Sequence, residues 1–150
     1  MIAVIQRVSE AKVVVAGEVV GEIGLGLMVL AAVQRGDRRE HLEWVARKLV
    51  GMRIFRNGEK YFDLDVTQVQ GSVLLVSQFT LAADARQGRR PSLSGAEEPG
   101  VAQGMFEEFV GMVKALGVKV ETGRFGAEMR VSLVNEGPAT FLLNSREAVE

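Results

Sequence analysis

The sequence has no cysteine and a single histidine among its 150 residues. Without cysteine, neither disulfides nor thiolate chemistry is open to it, which suits a cytoplasmic protein. A Ser-His-Asp triad, a Cys-His pair or a histidine-rich zinc site would have to use His41 or do without. His41 stands in Arg38-Arg39-Glu40-His41-Leu42-Glu43-Trp44, a charged helical pattern that reads as a solvated helix position, so any catalysis is expected to proceed without imidazole. No apolar run approaches the roughly 20 residues that a membrane-spanning helix needs, and no membrane partner is expected. The opening Met1-Ile2-Ala3-Val4-Ile5-Gln6-Arg7 goes straight into strand pattern and lacks the zones of a signal peptide. The net charge of −1 gives no global attraction to nucleic acid, so an RNA contact would have to be local. There is no Walker A pattern, no dinucleotide fingerprint and no carboxylate cluster suited to a metal, and neither a cofactor nor a metal is expected.

What is present is an ordinary globular balance, 47% hydrophobic and 25% charged, in a chain long enough for one domain, residues 1–150, with a real core. The β-branched segments Ile2–Val8, Lys12–Ala16 and Val19–Ile23 predict a meander of short antiparallel strands. Leu27–Val33 and Ser72–Val76 are almost continuously apolar and read as strands covered on both faces. A helix is expected from an Asp37 N-cap to about Val50, with Leu42, Val45, Ala46 and Leu49 on its apolar face and Gly51 after it. Arg53–Phe55, the turn Asn57-Gly58 and Tyr61–Leu64 suggest a strand, a turn and a short extended piece. Ala82–Gly100 reads as a long loop, and Val101–Leu116 as a second helix. Val118–Glu121, Met129–Val134 and Ala139–Leu143 complete the strands, before a polar tail, Asn144–Glu150. Many strands with two main helices make an α+β domain, and short, regularly spaced strands predict a curled, barrel-like, mostly antiparallel sheet.

Three stretches could carry chemistry. Ser77-Gln78-Phe79-Thr80 follows a buried strand. It is either a polar strand end or a donor cluster, in which the N–H groups of Phe79 and Thr80 face a substrate held by Ser77 and Gln78. Thr80 as nucleophile is physically weak, because nothing nearby in sequence offers a base. Arg86 to Arg90 and Thr122-Gly123-Arg124-Phe125 are either solvated loops or sites that bind phosphates and stack on a base. The third is Asn135-Glu136-Gly137-Pro138-Ala139-Thr140-Phe141. It places one of only three prolines between two strand-like segments, where proline would remove a ladder donor. By itself Gly137-Pro138 reads as a turn, with a cis bond accessible at about 0.5–1 kcal/mol.

The opening Met1–Val8, the run Ser77-Gln78-Phe79-Thr80-Leu81-Ala82-Ala83-Asp84, Thr122–Phe125 and Val131–Pro138 with Thr140-Phe141 together resemble the D-aminoacyl-tRNA deacylases over essentially the whole chain. The resemblance implies a cytoplasmic homodimer that hydrolyses the ester between a D-amino acid and the 3′-terminal adenosine of tRNA. It implies that Gly137-Pro138 is cis and reaches into the partner subunit's site as a gate excluding L-aminoacyl groups. Ser77, Gln78, Phe79 and Thr80 would then hold the ester and terminal ribose, Phe125 would contribute to the substrate site, and Arg7 would fix the orientation of the gate. Ala139 stands where relatives commonly have valine. Because a gate that excludes side chains has nothing to exclude in glycine, glycyl-tRNA is also an expected substrate. Three other readings compete: a deacylase with relaxed chirality, which is the closest rival; an editing module related to those of some threonyl-tRNA synthetases; and a non-catalytic RNA-binding protein.

Overall fold

The computed structural model describes residues 1–149. Its organising element is a long strand, β1 (Ile2–Val15), which the sequence pattern divides in two at Ser9-Glu10. The polar break does not end the strand because neighbouring strands hold it on both sides. β2 (Glu18–Ile23) and β3 (Gly26–Ala32) pair antiparallel with its C-terminal and N-terminal halves, and β8 (Arg130–Asn144) runs antiparallel along nearly its whole length. Beyond β3 come β6 (Ser72–Ser77) and β7 (Lys119–Thr122), each parallel to its predecessor. The sheet order is β2-β1-β3-β6-β7, with β8 on β1. It curls until β2 meets the end of β7: a Cβ on Gly21 would collide with the Thr122 carbonyl oxygen, so only glycine lets the two backbones approach this closely. A separate hairpin, β4 (Phe55–Asn57) and β5 (Lys60–Leu64), lies apart from this sheet.

Alternation on β3 and β6 feeds two cores. Leu27, Val29, Val73 and Leu75 face the helices α1 (Arg39–Gly51) and α2 (Pro99–Ala115), while Met28, Leu74 and Val76 pack with Val8, Val13 and Ile23 on the other side. The two strands are therefore covered on both faces, as their unbroken apolar runs predict. The α+β architecture, with two helices against a nearly closed, mostly antiparallel sheet, agrees with the expectation.

Several local expectations change. Asp37 does not cap α1; Arg38 holds that position, and its backbone N–H donates to His41 Nδ1 at 2.9 Å. His41 is consequently buried, 3% exposed, and not solvated. Asp37 is drawn away by a stronger partner, the α-ammonium of Met1 at 2.5 Å, with Arg146 at 3.3 Å on its other oxygen. The same ammonium donates to Ser145 Oγ at 2.6 Å, so the expected polar tail is tied down as far as the 3₁₀ turn Ser145–Glu147; Glu150 lies outside the described residues. Burial holds the Met1 ammonium below its ordinary pKa, opposed by Asp37. α2 begins earlier than its apolar face suggests. Pro99 occupies its first turn, where a missing N–H costs nothing, and the Glu98 carboxylate accepts from Val101 N–H at 3.2 Å. Finally, Met129–Val134 and Ala139–Leu143 belong to one strand, β8, and not to two.

Candidate active site

β6 delivers the first half of the site. Its last residue is Ser77, after which the Gln78 N–H donates to the Ala31 carbonyl of β3 at 2.8 Å, extending the parallel register one step past the strand. The chain then turns into a 3₁₀ helix, Phe79–Ala82, whose own bonding starts with Leu81 N–H to the Gln78 carbonyl at 3.1 Å. The opening N–H groups of such a helix, here Phe79 and Thr80, precede the first N–H that reaches an intrahelical acceptor and so remain available to a ligand. The Thr80 hydroxyl accepts from Gln78 Nε2 at 2.5 Å. Its partner is an amide donor, which cannot take a proton from it, and this leaves Thr80 unactivated as a nucleophile.

Beside this turn is a largely apolar cleft of about 380 Å³. Ser77, Gln78 and Phe79 line it together with Phe125, Phe106 and Glu97. Phe125 is carried by the loop after β7 and is fixed by Phe106 of α2, the ring centroids 6.2 Å apart. Phe79 is 57% exposed at this site. Glu97 accepts from the backbone N–H groups of Glu98 (2.8 Å) and Gly36 (3.3 Å), which hold its carboxyl below the usual range.

The second half lies on β8 and does not line that cleft. Gln6 pairs with Thr140, but Val8 pairs with Asn135, so Glu136 to Ala139 bulge from the ladder opposite Arg7. The Gly137-Pro138 peptide bond is cis, and both residues are exposed. Side chains pin the bulge from within the chain. Asn135 Nδ2 donates to the carbonyls of Arg7 (3.0 Å) and Ala139 (3.3 Å). Arg7, only 6% exposed, uses its whole guanidinium fork: Nε to the Glu136 carbonyl (2.9 Å), Nη1 to the Ile54 carbonyl (2.8 Å) and Nη2 to the Tyr61 hydroxyl (3.0 Å). Its charge is met by these dipoles and by the rings of Tyr61 and Phe62, 4.7 and 5.8 Å from Cζ. A Cβ on Gly137 would stand 2.5 Å from Asn135 Oδ1, so the pinned bulge has room only for glycine there.

Thus the sequence-predicted residues form two groups within one chain. Ser77, Gln78, Phe79 and Phe125 meet in the cleft, with Thr80 in the adjoining turn; Arg7, Gly137 and Pro138 meet at the bulge. Arg86 meets a carboxylate of its own loop: its exposed guanidinium lies 2.9 and 2.6 Å from the Asp84 oxygens and holds that carboxyl well below the usual range. The antiparallel bridge between Asp84 and Ser92 turns the intervening segment into a hairpin whose tip carries the exposed Arg89 and Arg90. The sequence reasoning missed Asn135 as a brace and Tyr61 altogether. Tyr61 is the only tyrosine of the chain, but nothing local shows that it meets a strand so distant in sequence.

The family model described as D-Tyr-tRNA(Tyr) deacylase matches residues 4–144. A D-aminoacyl-tRNA deacylase from Shewanella sp. (strain MR-4) is 53% identical over 95% of this chain and 99% of its own length. Another, from Photorhabdus laumondii subsp. laumondii, is 51% identical over the same shares. Among solved structures, that of the c-Myc DNA Unwinding Element Binding Protein superposes with a TM-score of 0.91 at 33% identity, covering 96% of this chain and 98% of its own. A probable eukaryotic D-amino acid tRNA deacylase, at 19% identity and a TM-score of 0.80 over 95% of this chain and 97% of its own, shares the fold. The chain belongs to the D-Tyr-tRNA(Tyr) deacylase family.

Proposed function

We propose that this protein hydrolyses the ester between a D-amino acid and the 3′-terminal adenosine of tRNA, that it accepts glycyl-tRNA as well, and that it acts in the cytoplasm as a homodimer of single-domain subunits. The apolar cleft takes the terminal nucleoside against Phe125, and the ester carbonyl lies at the turn after β6. There the N–H groups of Phe79 and Thr80 stabilise the oxyanion that develops as water adds to the carbonyl carbon. The carbon–oxygen bond to the ribose then breaks, and the proton released by the water ends on the 3′-oxygen, giving free amino acid and tRNA. The vicinal 2′-hydroxyl of the same ribose assists, since a group already on the substrate acts at high effective concentration. The chain's one histidine is consumed in capping α1, in keeping with chemistry that needs no protein base.

The observation that carries this reading is the division of the site within one chain. The exposed Gly137-Pro138 bulge stands outside the cleft that holds the donors. A second copy of the chain, inserting its bulge into the cleft, would complete a site in which rigid backbone carbonyls exclude the side chain of an L-amino acid. Val134 (47% exposed) and Leu142 (69% exposed) on the same strand supply apolar surface for such pairing. Exclusion makes no demand that glycine cannot meet. The test is a matched deacylation assay on D-tyrosyl-, L-tyrosyl- and glycyl-tRNA: the D and glycyl esters are expected to be cleaved and the L ester spared. Comparable rates on D and L would replace the gate with a deacylase of relaxed chirality. Binding of tRNA with all three esters intact would instead favour a nucleic-acid-binding protein, as the name of the structural relative invites.

A further inference from the structure

Arg7 ties down the bulge on one side of Gly137, through the Glu136 carbonyl. On the other side of Gly137 the tie is made by a different residue. The Tyr61 hydroxyl accepts from Arg7 Nη2 at 3.0 Å and donates its proton to the Pro138 carbonyl oxygen at 3.2 Å. The two bonds reinforce each other: a phenol that accepts from a guanidinium becomes a better donor. The ring itself is held by two cations, Arg7 and Arg56, each with Cζ 4.7 Å from the ring centroid, and it packs on Phe62 at 4.6 Å. Phe62 in turn meets Phe141 of β8 edge-on at 5.7 Å. A half-buried tyrosine on the separate β4–β5 hairpin thus has its position fixed on several sides and its one proton aimed at the bulge.

We propose that Tyr61 is a positioning residue for chiral selection: held by Arg7, its hydroxyl sets the direction of the Pro138 carbonyl, and so the strictness with which L-aminoacyl esters are refused. This rests on the gate reading above, and it adds a third element, the β4–β5 hairpin, to the two strands that build the bulge. Tyr61 touches neither the ester nor the donors, so its effect falls on the ratio of D to L cleavage and not on the chemical step.

The experiment measures kcat/KM for D-tyrosyl- and L-tyrosyl-tRNA in four proteins: wild type, Tyr61→Phe, Arg56→Ala and Arg7→Lys. Melting temperatures are recorded alongside. Tyr61→Phe keeps the ring and its stacking and removes the hydroxyl, and with it both the bond to the Pro138 carbonyl and the one received from Arg7. The expected result is a fall in the D-to-L ratio of roughly 5- to 10-fold, the scale of one net hydrogen bond. Arg56→Ala, at an exposed position, loosens the ring and shifts the ratio the same way by less. A ratio that moves in Arg7→Lys but stays at the wild-type value in Tyr61→Phe overturns the role of Tyr61 and leaves the gate standing. Equal losses on both esters in Tyr61→Phe overturn it too, since they mark a merely structural contact. If the wild type itself cleaves the D and L esters at comparable rates, the gate reading fails and this inference fails with it; if Arg7→Lys and Tyr61→Phe both keep the wild-type ratio, the inference fails alone.

Discussion

The end of β6 and the bulge of β8 solve the same problem, fixing a few backbone groups in space, by opposite means. Ser77 to Thr80 follow a strand buried on both faces, with parallel neighbours on either side and the register carried one residue further by Gln78 and Ala31. Packing, ladder bonds and the first bond of the 3₁₀ turn position the Phe79 and Thr80 N–H groups. Glu136 to Ala139 have no ladder partners, and the Gly137-Pro138 tip stands exposed. Their direction comes from the side chain of the adjacent Asn135 and from those of Arg7 and Tyr61, reached across long stretches of sequence. On the proposed reading, rate and chirality are separable. Substitution of a side chain should damage the second far more readily than the first, whereas the first responds to changes in the backbone.

The largest effect should come from removing a donor. Phe79→Pro deletes one N–H at the first position of a helix, where proline is tolerated. Against Phe79→Ala, which controls for the lost ring, kcat/KM on D-tyrosyl-tRNA is expected to fall roughly 100- to 1,000-fold, with the ratio of D to L cleavage kept.

Next is Arg7→Lys. An ammonium cannot span three acceptors placed for a planar fork. With charged hydrogen bonds contributing about 1.5–3 kcal/mol each, the melting temperature should drop. At about 1.4 kcal/mol per factor of ten, the D-to-L ratio should drop roughly 10- to 100-fold. The turnover of the D ester should suffer much less than in Phe79→Pro.

A smaller effect falls on binding alone. Arg89→Glu with Arg90→Glu, at the exposed hairpin tip, should raise KM for every aminoacyl-tRNA alike and flatten its salt dependence, the slope changing by ~0.7–0.9 for each phosphate that an arginine no longer neutralises. A change in the D-to-L ratio there would break the comparison. The smallest effect is expected of Thr80→Ala, which keeps the N–H and should lower kcat by less than roughly tenfold, because the hydroxyl has no base to activate it. Collapse of kcat with intact binding would make Thr80 a nucleophile.

The same contrast explains what the sequence could and could not disclose. The donor turn is legible because its cause is local: an unbroken apolar strand, Ser72–Val76, running into short polar residues. The bulge is legible only as an oddity, a proline where a strand is expected. The residues that give it direction are invisible locally, since Arg7 reads as the end of a strand and Tyr61 as a hairpin residue. The failures elsewhere share that origin. β1 is continuous through Ser9-Glu10 because β8 pairs along it, and the Asn144–Glu147 tail is ordered because Asp37 and the Met1 ammonium meet there. His41 is buried because its ring nitrogen takes the N–H of Arg38. Periodicity reports which face of an element is covered, and it is silent about partners supplied from elsewhere in the chain.

The most direct test of separable rate and chirality is one assay on two variants. Measured side by side, kcat/KM on D- and L-tyrosyl-tRNA should fall in Phe79→Pro with the ratio preserved. In Arg7→Lys the ratio should shrink through faster cleavage of the L ester. A loss of discrimination in Phe79→Pro, or a proportional loss of both activities in Arg7→Lys, would contradict the account.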